Sequence, residues 1–363
     1  MNHQILFTKL QCIGVEGKVL TWIQAFLTNR SMQVVVAGSS SSSLPVTSGV
    51  PQGSVLGPLL FLIYINHIAT KLISNVKIFA DDLKLYFLIR PQYVSSALVD
   101  ISVVQRDIKT LITVAESWDL RVNAAKTKVI SFGAHLRDSV DLGPYSSYYI
   151  DDNPLSLNSS VVDLGIIVDS TLRFHDHIRS VVSKAAGLAN NLLKSTLCRS
   201  PEFMVTLLTT HIRPLLEFGS AVWNTGYSTD LKLLESVQRQ WTKRIQGFEN
   251  KSYAQRLADL NLFSVKGRLL RADLIKCWKI FHELSPISPT DLFTLAPPIG
   301  TRGHCYKILV PYSRCDARHR FFSVRVVKAW NSLPNNLAES DSLDSFKKGL
   351  TNFLGDLLFD FCC

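Results

Sequence analysis

Two neighbouring carboxylates stand out as groups that could do chemistry. Asp81 and Asp82 lie side by side in "NVKIFADDLKLYFLI", residues 75 to 89, between two short apolar runs. Acidic residues are common in hairpin turns, so the pair alone favours a structural turn over a metal site by about two to one. The flanking runs are apolar enough to predict strands buried on both faces, which would hold the carboxylates in place. Crowded carboxylates repel each other unless a cation such as Mg²⁺ neutralises them, so a metal site is the second interpretation.

A glycine-rich stretch upstream could bind phosphate. In "SGVPQGSVLGPLLF", residues 48 to 61, three glycines surround Pro51 and Gln52. A loop without bulky side chains can approach a ligand closely, and the amides at the start of the following helix attract phosphate. The amide of Gln52 offers both a donor and an acceptor, which suits the edge of a base or sugar. The alternative interpretation is a bend that lets the helix pack tightly.

Hydrophobic periodicity predicts the elements that position these residues. Apolar spacing predicts helices over 16–30, from Pro58 to about Leu72, and over 93–118. The predicted strands are a hairpin with serines 39 to 43 at its tip, two strands around the aspartates, a strand at 126–133, and an antiparallel pair, "YYIDDNPLSL" with "VVDLGIIVD", that turns at Asn153-Pro154.

The pattern becomes helical near residue 175. Three helical segments are predicted to start at Asp176, Pro201 and Thr229, and "VKGRLLRADLIKCWKIFHEL" adds a fourth. Prolines at 286, 289, 297 and 298 indicate a linker, and a final amphipathic helix is predicted near 342–355. The sequence therefore predicts an α+β fold with four parts: 1–175, 176–285, a linker at 286–300, and 301–363.

Composition excludes several classes of protein. Hydrophobic residues make up 47% of the 363 residues and charged residues 19%, which is globular rather than disordered. The net charge of +10 is spread along the chain and favours nucleic acid over a membrane as partner. Seven scattered cysteines without a C-x-x-C argue against a disulfide framework. We predict an intracellular protein, nuclear or cytoplasmic, without a signal peptide or transmembrane segment.

The motifs together resemble a known family. "GVPQGSVLGPLLFLIYIN", then "FADDLKLY", then "WDLRVNAAKTKVISFG" resemble the palm of reverse transcriptases, especially those of non-LTR retrotransposons of the Jockey or CR1 type. Later stretches such as "HIRPLLEFGSAVWN" and "FFSVRVVKAWNSLP" resemble the region that follows the palm, so the likeness covers nearly the whole chain. It implies a partial palm with a primer-grip-like hairpin, then a mostly helical thumb and a C-terminal helical region.

The resemblance also implies roles for individual residues. Asp81 corresponds to a ligand of catalytic Mg²⁺, with Asp82 as a second ligand or local support. Lys126 corresponds to the lysine near the departing pyrophosphate, and Lys128 is the second choice. The implied partners are dNTPs, an RNA template and a DNA primer, and the implied chemistry is two-metal phosphoryl transfer. The residues implied to contact nucleotide or template are Gly49, Pro51, Gln52, Gly53, Phe79 and Ala80.

One departure from the family pattern limits the expected activity. The palm needs a third carboxylate, which in these elements comes just before a stretch like "NHQILFTKL", and no acidic residue of this chain precedes Glu16. We therefore expect an N-terminally truncated fragment that binds Mg²⁺ poorly and is inactive or nearly so alone. The alternatives are a non-catalytic nucleic-acid-binding remnant and a translated remnant that does not fold stably.

A basic and aromatic stretch near the C-terminus is a candidate nucleic-acid contact. Between residues 302 and 328, seven Lys or Arg residues accompany one acid, and aromatic residues are interleaved with them. Stacking on unpaired bases with phosphate contacts would fit this pattern. An ordinary surface, with inward-facing aromatics and solvated arginines, fits it equally well. The arginines singled out are Arg302, Arg314, Arg318 and Arg320.

Overall fold

Short strand pairs alternate with helices in the first part of the chain, and helices dominate the second part. The computed structural model describes residues 1–88, 94–133, 148–297 and 303–361. The chain divides into two units, Met1–Asn158 (the first unit) and Ser159–Cys363 (the second unit). Helices combined with small, mainly antiparallel sheets confirm the α+β class. The palm and thumb assignments stay predictions, as do the domain boundaries after residues 175, 285 and 300.

The helices of the first unit form where apolar residues recur at helical spacing. The helix predicted over 16–30 is confirmed, and it buries Leu20, Ile23 and Leu27 on one face. That face packs with the neighbouring helices into one apolar cluster, here called cluster A, which includes Leu6, Leu60 and Tyr64. The helices are α1 (His3–Cys12), α2 (Gly17–Leu27), α3 (Leu56–Ile65), which continues as a 3₁₀ segment over Asn66–Lys71, and α4 (Val94–Ser117).

Every described strand belongs to a two-stranded sheet, and five of the six pairs are antiparallel. The pairs in chain order are β1 (Arg30–Met32) with β4 (Leu44–Val46), β2 (Val35–Val36) with β3 (Ser39–Ser40), β5 (Asn75–Phe79) with β6 (Asp82–Tyr86), the parallel pair β7 (Val129–Ile130) with β10 (Leu157–Asn158), β8 (Tyr149–Ile150) with β9 (Asn153–Pro154), and β11 (Ser160–Asp163) with β12 (Ile166–Asp169).

The predicted serine tip of the first hairpin is wrong. The turn lies at Ala37 and Gly38, whose φ angles are 48° and 83°, and Ser39 and Ser40 form strand β3. A two-residue turn that matches the strand twist needs positive φ at both positions, and a glycine meets that need at the second position. The backbone conformation that the turn requires therefore decides where the turn lies, and the small size of the serines does not.

The predicted pairing of "YYIDDNPLSL" with "VVDLGIIVD" is also wrong. Each run closes on itself: Asp151 and Asp152 form the turn of the first hairpin, and Leu164 and Gly165 form the turn of the second. Asn153–Pro154, predicted as the turn, is strand β9. All four turn residues have positive φ, so each hairpin has the compact two-residue connection that favours local pairing.

Helices of the second unit begin where the sequence predicts them. The predicted starts at Asp176, Pro201 and Thr229 lie within one residue of the observed starts. A π-helical turn, Leu208–Ile212, interrupts the second segment just before Pro214, which has no amide hydrogen to donate. The helices are α5 (His175–Ser195), α6 (Pro201–Leu207), α7 (Arg213–Glu217), α8 (Ser220–Trp223), α9 (Ser228–Thr242), α10 (Tyr253–Asp259) and α11 (Val265–Phe281).

The C-terminal part consists of short helices and one longer amphipathic helix. The predicted final helix near 342–355 is confirmed as Leu343–Leu354 and buries Phe346, Leu350 and Leu354. The helices in order are α12 (Pro289–Leu292), α13 (Asp316–His319), α14 (Phe322–Arg325), α15 (Val327–Asn331), α16 (Asn335–Ala338), α17 (Leu343–Leu354) and a 3₁₀ segment, Gly355–Leu358. Across the described residues, we find no helix with the length and apolar character to cross a membrane.

Candidate active site

The two aspartates lie at the tip of the β5–β6 hairpin. Asp81 occupies the turn, and Asp82 begins strand β6, where it pairs with Phe79. Ala80, the first turn residue, has a φ of 51°, in the left-handed region that hairpin turns use. Both carboxylates are exposed. The hairpin therefore presents two negative charges at its tip.

The expectation that both strands are buried on two faces is wrong. Exposed and half-buried residues alternate along β5, and the Phe79 side chain is 62% exposed. The hairpin is an isolated two-stranded ribbon, so only one face of β5 has an apolar surface to pack against. Packing on that face, rather than complete burial, anchors the hairpin.

A buried carboxylate on α4 fixes the chain where it enters the hairpin. Asp107, only 2% exposed, accepts hydrogen bonds from the backbone amides of Ser74 (2.6 Å) and Ile73 (3.1 Å). Burial alone would raise the pKa of Asp107, but the hydrogen bonds from Ser74 and Ile73 and the nearby charge of Arg106 outweigh burial and lower it. The ionised form is the one that holds the loop before β5.

The glycine-rich loop is held by the start of α1. The Gly49 amide donates to the Met1 carbonyl (2.9 Å), and Nε2 of His3 donates to the Gly49 carbonyl (2.7 Å). Arg30 adds a longer bond to the same carbonyl (3.4 Å). His3 and Arg30 are residues that the sequence did not reveal as part of the site, and they position the loop rather than face a ligand.

Downstream of Gly49 the loop opens to solvent. Gly53 has a φ of 81° and open space beside its α-carbon, and the Gln52 side chain is exposed. Pro51 is half-buried, and its carbonyl accepts a bond from the Ser54 hydroxyl (2.7 Å). The exposed segment at Gln52 and Gly53 is thus available for contact with a ligand.

The start of α3 is less available for phosphate than the sequence predicts. The Gly57 amide, one of the first in the helix, donates to the Ser54 hydroxyl (3.0 Å). A Cβ on Gly57 would lie 2.9 Å from that hydroxyl and 3.0 Å from the Pro51 carbonyl oxygen. Gly57 therefore serves the tight packing of loop on helix, which was the alternative interpretation for this stretch.

Lys126 lies in a turn capped by Asn123. The Lys126 amide donates to the Asn123 side-chain oxygen (3.1 Å), while the Lys126 and Lys128 side chains are both exposed. Strand β7 follows directly, and the Val129 amide donates to the Ser156 carbonyl (3.2 Å). The turn thus holds an exposed cation on a fixed backbone.

Two apolar clusters link the hairpin to the loop and to the lysine turn. Val50, beside Gly49, and Ile78, beside Phe79, both pack against cluster A. On the other strand, Leu85 packs against a second cluster around Ile108, Ile150 and Leu155, here called cluster B, together with Ala124 and Val129 from the segment around Lys126. The sequence-predicted residues of the first unit are thus carried by elements that share two cores.

The arginines near the C-terminus that the sequence offers as nucleic-acid contacts differ in their surroundings. Arg314 and Arg318 are exposed, and each lies beside an aromatic ring, of Tyr312 and Phe321 respectively. Arg320 is half-buried, with bonds to Asp316 (2.9 Å) and to the Thr225 carbonyl (2.9 Å). Arg302 lies outside the described residues.

The donor set at the hairpin fits part of a metal site. Two carboxylates supply the hard oxygen ligands that Mg²⁺ prefers. Within the residues that the structure describes, no group of three or more His, Cys, Asp or Glu side chains could hold a metal ion. The aspartate pair can therefore provide part of a coordination shell and would need a further ligand to close it.

Comparison with known proteins gives the class of the chain. A model of the reverse transcriptase (RNA-dependent DNA polymerase) family matches residues 1–189, just over half of the chain. The chain belongs to this family.

Among relatives, the chain is similar to polymerases of mobile elements of Drosophila melanogaster, which confirms the Jockey-type resemblance. It is 25% identical over 241 residues to the RNA-directed DNA polymerase from mobile element jockey and 23% identical over 235 residues to the probable RNA-directed DNA polymerase from transposon X-element. Each match covers 62% of the chain and 25% of the relative. The probable polymerase from transposon BS is 25% identical over 264 residues, which cover 69% of the chain and 28% of the relative. The chain thus spans about a quarter of the length of these relatives.

Proposed function

We propose that this chain carries the nucleotide-adding part of an RNA-directed DNA polymerase, which extends a primer 3′ end with dNTPs on an RNA template. One observation supports this most directly: two exposed carboxylates lie at the tip of a hairpin whose strands share cluster A with the glycine-rich loop and cluster B with the Lys126 segment. Phosphoryl transfer requires groups that position the phosphates and neutralise their charge. Carboxylates that can hold a metal ion, a loop with small side chains and a positively charged lysine can supply these functions.

Each of these groups has a distinct role in the proposal. Asp81 would hold Mg²⁺ with Asp82 as second ligand or support, and the bound metal would neutralise the charge of the phosphates. Gln52 and Gly53 would contact the incoming nucleotide and the template strand. The exposed ammonium of Lys126 would lie toward the departing pyrophosphate, and Lys128 would add positive charge beside it.

The incomplete ligand set determines the activity that we expect. Since the described residues contain no third ligand, the 363-residue chain alone should bind Mg²⁺ weakly and add few or no nucleotides. The Met1 carbonyl is bonded to the Gly49 amide (2.9 Å), so a strand added before Met1 would start beside the glycine-rich loop. An aspartate on such a strand would be a suitable third ligand.

Primer extension on poly(rA) with an oligo(dT) primer tests the proposal. We expect little Mg²⁺-dependent synthesis by the 363-residue chain and clear synthesis by a version with an aspartate-bearing strand added before Met1. In the extended version, Asp81→Asn should lower kcat by about a hundredfold or more, whereas Asp151→Asn, in the exposed turn between β8 and β9, should not. Robust synthesis by the 363-residue chain would contradict the proposed incompleteness.

A non-catalytic nucleic-acid-binding role is the second candidate. The exposed arginines Arg314 and Arg318 favour it, because they need no metal to contact phosphate. This role predicts salt-dependent binding of an RNA–DNA hybrid by a chain that adds no nucleotides in either version. Absence of binding at low salt would exclude it.

A further inference from the structure

A segment of the second unit exposes two aromatic rings, whereas the two aromatic residues that follow them along the chain are buried. Tyr312 is 85% exposed and Phe321 is 42% exposed, whereas the adjacent Phe322 is 5% exposed. Trp330, further along the chain, is fully buried in a core with Phe322. The core is therefore complete without Tyr312 and Phe321, so both rings are available for contacts outside it.

Each exposed ring is accompanied by an exposed arginine. The Arg314 guanidinium lies 5.9 Å from the Tyr312 ring centre, and that of Arg318 lies 5.4 Å from the Phe321 ring centre. Neither arginine forms an ion pair within the described part of the chain. Both guanidinium groups therefore keep their donors for an external anion.

The single acidic residue in this segment is already neutralised. Asp316 accepts two bonds from Arg320 (2.9 and 3.0 Å) and one from the Tyr227 hydroxyl. The Arg320 guanidinium also lies 3.7 Å from the Tyr227 ring centre, which fixes the chain at the end of α13, between Arg318 and Phe321. Asp316 and Arg320 thus stabilise the segment and leave the positive charge of Arg314 and Arg318 uncompensated.

From these observations we infer that Tyr312, Arg314, Arg318 and Phe321 form a binding site for single-stranded nucleic acid. Exposed rings can stack on bases only where the bases are unpaired, and the arginines supply phosphate contacts along the same strand. A duplex offers the phosphates without open base faces, so it satisfies only half of the site. The choice of ligand rests in part on the proposed function, since the template of such a polymerase is a single strand.

Fluorescence anisotropy with a labelled single strand and its duplex tests this site in the full chain. Replacing both rings, Tyr312→Leu with Phe321→Ala, should weaken single-strand binding by about tenfold or more and leave duplex binding nearly unchanged. Tyr312→Phe alone keeps an aromatic ring at this position and should bind the single strand as tightly as wild type. Arg314→Gln with Arg318→Gln should weaken both ligands and reduce the slope of log K against log salt by about 0.7 per arginine on the single strand.

A matched pair elsewhere in the same unit serves as control. Phe353, 42% exposed like Phe321, and the exposed Lys348 lie on α17, and Phe353→Ala with Lys348→Gln should change neither affinity. Single-strand binding that survives the loss of both rings would overturn the site. The site would also be overturned if the variant without the two rings lost more affinity for anionic lipid vesicles than for single-stranded nucleic acid. Primer extension by the extended chain is measured separately, so failure of this site does not decide the polymerase proposal.

Discussion

Asp107 shows how one buried carboxylate can place the aspartate hairpin. It lies on the apolar face of α4 between Val104 and Ile108, where an acid is costly unless it is fully hydrogen-bonded. The amides of Ser74 and Ile73 satisfy it, and these residues immediately precede β5. The position of Asp81 therefore depends on a contact made by a residue distant in sequence.

We predict that Asp107→Ala destabilises the first unit. Two amides lose their acceptor, and a buried amide without a partner costs about 1–3 kcal/mol, so urea unfolding should show a loss of that size. Glu116→Gln, an exposed change on the same helix, should have no measurable effect. Equal stability of the two variants would mean that Asp107 does not anchor the hairpin.

The contribution of Asp107 should also depend on pH. Its pKa in the folded state is lowered from the usual 3.8, so folding is linked to proton release from this carboxyl. Its stabilising effect is complete above the ordinary pKa and is lost as the pH falls through the lowered one. The difference in unfolding free energy between wild type and Asp107→Asn should accordingly shrink in acid, and a difference that grows on acidification would contradict this assignment.

Residues with a motif could be predicted from the sequence, and residues that support them could not. Asp81 and Gln52 stand in short patterns whose letters alone indicate their chemistry. His3 and Asp107 act through backbone amides and carbonyls of other segments, which leave no mark in the sequence at those segments. The one available signal was an acid on the apolar face of a predicted helix, at position 107.

At the scale of elements, the hairpin tip carries backbone strain beside the aspartates. Ala80 has a φ of 51°, a conformation that costs a residue with a Cβ about 1–2 kcal/mol. Glycine adopts it freely, yet an alanine stands here. The fixed turn orients Asp81 and Asp82 at the end of the two strands.

We predict that Ala80→Gly stabilises the hairpin. Relief of the strain should slow hydrogen exchange of the β5 and β6 amides by an amount equal to about 1 kcal/mol. Ala125→Gly, in the exposed turn before Lys126 and without a positive φ, should instead be neutral or mildly destabilising. Faster exchange in Ala80→Gly than in wild type would show that the turn is not strained.

Long helices with periodic apolar residues could be predicted from the sequence. The pairing of the short strands could not. The helices α2, α4 and α5 follow from apolar spacing over three or more turns. Strands of two to five residues have little pairing energy of their own, so the turn decides the partner. The turns at Asp151–Asp152 and Leu164–Gly165 made two local hairpins where the sequence suggested one longer pair.

At the scale of the second unit, its C-terminal residues join two hydrophobic cores. Residues 355–361, here called the C-terminal strap, cross the start of α11, where the Leu358 carbonyl accepts bonds from the Ser264 amide (2.8 Å) and hydroxyl (3.1 Å). Phe361 packs against one core beside Tyr253, and Leu358 is buried in the other. The strap thus stabilises the whole unit and not only its own end.

Gly267 on α11 makes this crossing possible, and its replacement tests the strap. A Cβ there would lie 2.5 Å from the Leu358 carbonyl oxygen and 2.7 Å from its α-carbon, and both are backbone atoms that cannot rotate away. We expect Gly267→Ala to destabilise the unit by about 1–3 kcal/mol despite the better helix propensity of alanine, and to expose the strap to hydrogen exchange and proteolysis. Gly187→Ala on α5, with open space around the added carbon, should stabilise the unit by about 0.5–1 kcal/mol. If both variants gained stability equally, the strap would have to lie away from α11 in solution.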